Sequence, residues 1–120
     1  MKKVLVVDDA SVVRLMMRKV LKGSVFTVVG EAANGREALE KYKELKPDVV
    51  TMDMVMPEAD GIQATKDIVS FDKDAKVVIV SGIDQREMLM KAIGAGACSY
   101  IVKPFESDRV ISTLNEVLST

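Results

Sequence analysis

The sequence predicts an α/β domain, (βα)5, in which a doubly wound, five-stranded parallel sheet is covered by helices on both faces. Three observations predict it. Short apolar runs alternate strictly with amphipathic stretches of helical period. The first run, Val4-Leu5-Val6-Val7, is continuous and rich in β-branched residues, which suits a strand buried on both faces. No linker, repeat or low-complexity segment interrupts the pattern, so the 120 residues are expected to form one domain, 1–120, with no room for a further one. Right-handed crossovers leave few topologies, and strand order 2-1-3-4-5 is the common five-stranded solution.

The first strand is read at residues 4–7, followed by a helix over 11–22 with Val13, Met16, Met17, Val20 and Leu21 at helical spacing. A second strand spans 25–30. The helix over 34–45 places Ala38, Leu39, Tyr42 and Leu45 on one side and pairs Glu37 with Lys41, and Pro47 ends it. The third strand is 48–52, and the turn-rich Pro57-Glu58-Ala59-Asp60-Gly61 leads into a helix over 62–69. The fourth strand is 76–80 and its helix 85–94. The fifth strand, 100–102, is very short; the last helix, 106–118, turns Val110, Ile111, Leu114, Val117 and Leu118 inward.

Composition narrows the chemistry. A net charge of −1 gives no reason to expect nucleic acid or acidic lipid as a partner. The absence of His excludes His-based triads and imidazole metal sites, leaving carboxylates, hydroxyls, lysine and backbone. Cys98 is the single cysteine, so no internal disulfide forms, which fits a reducing, cytoplasmic compartment. The apolar run near the start is too short for a signal peptide or a membrane span. A monomer without membrane insertion is expected.

In open parallel sheets, ligands bind beyond the carboxyl ends of the strands. Asp8 and Asp9 follow the first strand, Asp53 ends the third, Ser81 follows the fourth and Lys103 the fifth. Three clustered carboxylates raise one another's pKa values unless a cation joins them. Mg²⁺ suits such a site, taking one or two carboxylates with waters and a phosphate oxygen. Asp53 is then placed to attack phosphorus and carry an aspartyl phosphate, with Lys103 and the Ser81 hydroxyl on phosphoryl oxygens. Singly, each residue has a plainer reading. Asp8 or Asp9 could cap a helix, Asp53 face water, Ser81 sit in a turn and Lys103 lie on the surface. Their convergence on one edge favours the joint reading.

The ordered motifs Val6-Val7-Asp8-Asp9, Glu31-Ala32-Ala33-Asn34-Gly35, Asp53-Met54-Val55-Met56-Pro57, Asp60-Gly61, Ala95-Gly96-Ala97 and Tyr100-Ile101-Val102-Lys103-Pro104-Phe105 resemble the receiver domain of bacterial and archaeal response regulators, above all its single-domain chemotaxis members. The resemblance covers essentially the whole chain and implies a flavodoxin-like fold. It implies that Asp53 is the phospho-acceptor of a two-component system, with a histidine kinase as donor. Asp9 is then a direct metal ligand, Asp8 one acting mostly through water, and Asp53 and the Val55 backbone carbonyl further ligands, with Mg²⁺ as cofactor and Mn²⁺ able to replace it. Ser81 matches the switch hydroxyl, Tyr100 the switch aromatic, and Lys103 the phosphate-binding lysine, whose bond to Pro104 is usually cis in the family.

The same resemblance implies a partner face formed by Leu89, Ile93 and Tyr100, with a flagellar motor switch or adaptor protein as target. Such a protein is not an enzyme in the ordinary sense; it catalyses its own phosphorylation and a slow autodephosphorylation. Val55 and Ile83 stand where receivers border the path of the hydrolytic water; neither can hydrogen-bond it, so slow decay is expected unless a phosphatase intervenes. Ala59 and Ser81 stand where the family often has Met and Thr, and Gly94 lies inside a helix. Met88, Leu89, Met90, Ala92 and Ile93 leave that helix little polar surface, so some of them should be exposed, and Cys98 should be an unreactive loop thiol.

Three alternatives differ from chemotaxis signalling. A phosphorelay intermediate would pass the phosphoryl group to a histidine phosphotransfer protein. A phosphatase of the haloacid dehalogenase type needs a second Asp two residues after its nucleophile, where this chain has Val55. A flavin carrier of the same topology needs a phosphate-cradling loop after the first strand, where Asp8 and Asp9 would repel a phosphate.

Overall fold

A computed structural model of the chain describes residues 2–56, 60–82 and 84–119. Strands β1 (Lys2–Val7), β2 (Phe26–Ala32), β3 (Val49–Asp53), β4 (Val77–Ser81) and β5 (Ser99–Val102) alternate with helices α1 (Ser11–Leu21), α2 (Gly35–Leu45), α3 (Gly61–Phe71), α4 (Arg86–Gly94) and α5 (Ser107–Leu118). All pairings are parallel and the order is β2-β1-β3-β4-β5, as the sequence predicts.

Because strand side chains alternate between faces, the unbroken apolar runs feed two cores. Leu5, Val7, Val50, Met52, Val77 and Ile79 pack with Ala38 and Tyr42 of α2, Ala64 and Ile68 of α3, and Ala92 of α4. Val4, Val6, Val49, Val78, Val80 and Ile101 pack with Met17 and Leu21 of α1 and with Val110, Leu114 and Val117 of α5. The chain leaves β1 in one direction to form β2 and returns past it to form β3. The crevice beyond β1 and β3 is therefore the switch point where this topology places ligands.

Several local expectations change. Met16 is exposed, and the α1 core contact is made by Met17 one position on. Glu37 makes no ion pair with Lys41. Its carboxylate accepts the Ala33 N–H at 2.9 Å while Asn34 Oδ1 accepts the Glu37 N–H at 2.9 Å, a stronger local use of both groups at a helix start. α2 ends in a left-handed Lys46, φ 47°, just before Pro47. β2 runs on past Gly30 because Glu31 and Ala32 pair with Val6 and Val7. β3 begins at Val49, since Asp48 stays exposed and accepts the Lys3 N–H at 2.7 Å. α3 continues to Phe71, with its ring edge-on to Tyr42 and the Lys43 ammonium over its face.

The loop from β3 to α3 returns very close to its strand. Gly61 donates its N–H to the Met54 carbonyl at 2.8 Å, and Asp60 caps α3 by accepting the Gln63 N–H. A Cβ on Gly61 would lie 2.3 Å from the Asp53 carbonyl oxygen and 2.8 Å from Met54 Cα. The turn residues 57–59, including Ala59, lie outside the described residues, as does Ile83.

Candidate functional site

Asp8 follows β1 and Asp53 ends β3, the two central strands, and both carboxylates are buried. The loop residue Asp9 is exposed. One carboxylate oxygen from each of Asp8, Asp9 and Asp53 lies within 4.8 Å of the others. Lys103, just past β5, reaches back across the sheet end, its Nζ 3.2 Å from Asp53 Oδ1 and 3.3 Å from Asp8 Oδ2. The Lys103 N–H donates to the Ser81 carbonyl at 2.8 Å, which locks the ends of β4 and β5 together, and the Lys103–Pro104 bond is cis, as the resemblance implies.

The three carboxylates are not equivalent. Asp8 is tied on every side. Its N–H donates to the Ala32 carbonyl, Oδ1 accepts the Ala10 N–H at 2.9 Å, Oδ2 faces Lys103, and its carbonyl accepts from Arg14 Nη1 at 2.6 Å. The Asp9 carboxylate makes no hydrogen bond or ion pair with any described residue, so its oxygens are free for a ligand. Neither aspartate caps α1 by side chain, because the capping position belongs to Ala10. Ser81 is buried at the end of β4, and its hydroxyl makes no hydrogen bond to a described residue.

Electrostatics follow from burial and crowding. Burial first, and then the Asp8 carboxylate, hold Asp53 above the ordinary carboxyl range, with Lys103 pulling the other way. Burial alone would lower Lys103, but the Asp53 and Asp8 carboxylates outweigh it and hold its ammonium above the usual value. One ammonium among three carboxylates leaves an excess of negative charge on an all-oxygen donor set. That is the donor chemistry a hard divalent cation takes, and the residues present fit such an ion.

Other predicted residues are placed as follows. Val55, two residues beyond Asp53, has an exposed side chain. On α4, Met90 is 65% exposed and Ile93 37%, whereas Leu89 is half-buried against the core and adds little outer surface. Tyr100 is 49% exposed on β5, pointing outward beside Val102, and Cys98 is an exposed thiol. Sequence reasoning missed Arg14 and Arg18, which both reach Glu31 from α1. Two cations four residues apart on a helix with no acidic residue in its first turn are the signal that could have found them. Arg18 first, then Arg14, holds the Glu31 carboxyl below its usual range.

A buried aspartate at a sheet switch point, two further aspartates and a lysine gather at one end of the sheet, an arrangement suited to a divalent cation and a phosphoryl group. The model of the response regulator receiver domain matches residues 4–115, and the chain belongs to that family. It is 52% identical over 116 residues to the chemotaxis protein CheY of Thermotoga maritima, covering 97% of each chain. It is 48% identical over 117 residues to CheY of Bacillus subtilis, covering 98% of each. Among solved structures, the CheX–CheY–BeF3–Mg²⁺ complex from Borrelia burgdorferi aligns with a TM-score of 0.90 at 32% identity, over 97% of this chain and 88% of that one. The chain is a two-component response regulator of chemotaxis; the phosphorelay and phosphatase readings are not favoured. No helix among the described residues is long and apolar enough to cross a membrane.

Proposed function

We propose that the chain is a cytoplasmic phospho-switch that accepts a phosphoryl group from a histidine kinase onto Asp53 with Mg²⁺. One observation carries this reading: the Lys103 ammonium bridges the buried Asp8 and Asp53 carboxylates beside a free Asp9 carboxylate. An Asp53 oxygen bonds to phosphorus as the donor's phosphorus–nitrogen bond breaks, and the electron pair leaves with the imidazole. Lys103 then turns toward the new phosphoryl oxygens, and the Ser81 hydroxyl donates to one of them. Asp8, Asp9, Asp53 and the Val55 carbonyl would hold the cation, which would supply charge neutralisation at the phosphoryl group. The Borrelia burgdorferi relative, solved with BeF3 and Mg²⁺, supports this choice of ion.

Drawing Ser81 inward frees space for Tyr100, which alters the outer face of Met90, Ile93, Tyr100 and Val102 presented to a motor-switch or adaptor protein. The Borrelia burgdorferi relative was solved in complex with CheX, which supports a protein partner in general. The exposed, apolar Val55 side chain cannot orient a hydrolytic water, so the phosphoryl group should decay slowly. The test is labelling by acetyl phosphate. Wild type should label only with Mg²⁺ present and Asp53→Asn not at all; EDTA-resistant labelling, or equal labelling of the variant, sinks the mechanism. The decay claim is separate: Val55→Asn with Ile83→Glu should speed loss of the label about tenfold or more. Equal decay rates would refute it.

A further inference from the structure

We propose that Arg14 is a positioning residue for the acidic cluster: it pins the peptide plane joining Asp8 to Asp9 and thereby sets where the free Asp9 carboxylate points. The proposal rests on the reading of Asp8, Asp9 and Asp53 as a divalent-cation site.

The six atoms of a peptide unit move as one rigid plane, so orientation is lost or held at the soft dihedrals on either side. Pairing of β1 with its neighbours ends at Val7, and α1 does not begin until Ser11, its Ala10 cap lacking a side-chain bond. Between these ends the chain depends on individual hydrogen bonds. No hydrogen bond to a described residue holds Asp9 itself. Its orientation is inherited from Asp8, whose N–H is fixed by the Ala32 carbonyl at 3.0 Å and whose C=O accepts from Arg14 Nη1 at 2.6 Å.

Arg14 is itself held. Its Nε donates to Glu31 Oε1 at 2.7 Å, and its side chain is only 18% exposed. Glu31 sits in β2 opposite Val6, and its second oxygen accepts from Arg18 Nε. The planar guanidinium thus joins β2, α1 and the loop after β1 through two donors in fixed relation, which a lysine ammonium cannot copy. Residues that orient metal ligands from behind typically matter about 10–100-fold in metal affinity.

Charge and positioning predict opposite signs. Arg14 is a cation close to a dication site, so if only its charge mattered, removing it would tighten Mg²⁺ binding. If it positions Asp9, removing it weakens binding. The experiment is calorimetric titration of Mg²⁺ into wild type, Arg14→Met, Arg14→Lys and Asp9→Ala, each checked for a cooperative melt. Both Arg14 variants should bind about tenfold more weakly. In the metal-free proteins the Asp9 and Ala10 amides should shift and exchange faster with solvent. In labelling by acetyl phosphate, the half-saturating Mg²⁺ concentration should rise more than the rate at saturation falls.

Binding by Arg14→Met that is as tight as wild type, or tighter, overturns the proposal. If that variant does not fold, Arg14→Lys decides, and unchanged affinity there overturns it equally. Loss of binding in Asp9→Ala with none in either Arg14 variant removes the positioning role and leaves the metal site standing. Unchanged binding in Asp9→Ala removes the metal-site reading and this proposal with it.

Discussion

Replacing Gly61 by Ala should displace the Asp53 carboxylate, the proposed acceptor, without altering any of the site's side chains. The added methyl would stand 2.3 Å from the Asp53 carbonyl oxygen and 3.1 Å from its carbonyl carbon. An ordinary contact begins at 3.4 Å, so roughly 1.1 Å must open between the start of α3 and the end of β3. Neither side yields freely. Asp53 is paired to Val80 in the sheet, and Gly61 is tied to the Met54 carbonyl at 2.8 Å. Overpacking of this kind costs about 1–3 kcal/mol, offset by up to ~1 kcal/mol because Ala restricts the unfolded chain. A net loss of ~1–2 kcal/mol in a chain of 120 residues lowers Tm by about 4–8 °C. The same shift displaces the acceptor carboxylate by up to ~1 Å, enough for about a hundredfold loss in labelling rate by acetyl phosphate at saturating Mg²⁺. Gly94→Ala is the matched control. No atom lies within 4 Å of its Cβ position, so Tm should rise by ~2–4 °C with labelling unchanged. If Gly61→Ala melts like wild type and labels within about threefold of it, the close approach does not constrain the site and the reasoning fails.

Two further predictions follow from charge and hydrogen bonding. Asp53 holds its proton more tightly in the folded than in the unfolded chain, so its ionisation costs stability as pH rises from the ordinary value of 3.8 through the raised folded value. In EDTA, Asp53→Asn should therefore be the more stable protein at pH 7 in urea unfolding, with the gap closing toward pH 4; a variant less stable at pH 7 contradicts this. Tyr42 donates to Asp72 at 2.7 Å from a buried ring, so Tyr42→Phe should cost ~1 kcal/mol, or ~4 °C in a melt, and leave labelling intact. An unchanged melt would mean that the α2–α3 clasp contributes nothing.

The order of the sheet and the convergence of Asp8, Asp9, Asp53, Ser81 and Lys103 were legible because both depend on where strands end. Strand ends are marked by the change from apolar to polar residues. What stayed hidden depends on partners distant in sequence. β2 extends through Glu31 because its ladder to Val6 continues and two arginines of α1 take the carboxylate, neither of which its own sequence announces. Met16 and Met17 are chemically identical neighbours, and only the exact phase of α1 against the sheet decides that Met17 is buried. Leu89, which the resemblance places on a partner face, is half-buried by α4 against the core, a depth set by packing and not by its own sequence. The difference between a tied Asp8 and a free Asp9 lies wholly in hydrogen bonds from Lys103, Arg14, Ala10 and Ala32.

The outward side chains of Met90, Ile93, Tyr100 and Val102 share no hydrogen bond or ion pair with Asp8, Asp9, Asp53 or Lys103. Chemistry and address are therefore separate inheritances within one small chain. The acidic end is constrained, since a change at Asp8, Asp53 or Lys103 breaks a bond to another of the three. The far edge can drift residue by residue at little cost in stability. A duplicated copy of this gene could acquire a new listener by altering four or five surface positions, about the number a single binding hot spot requires, while keeping its reaction intact.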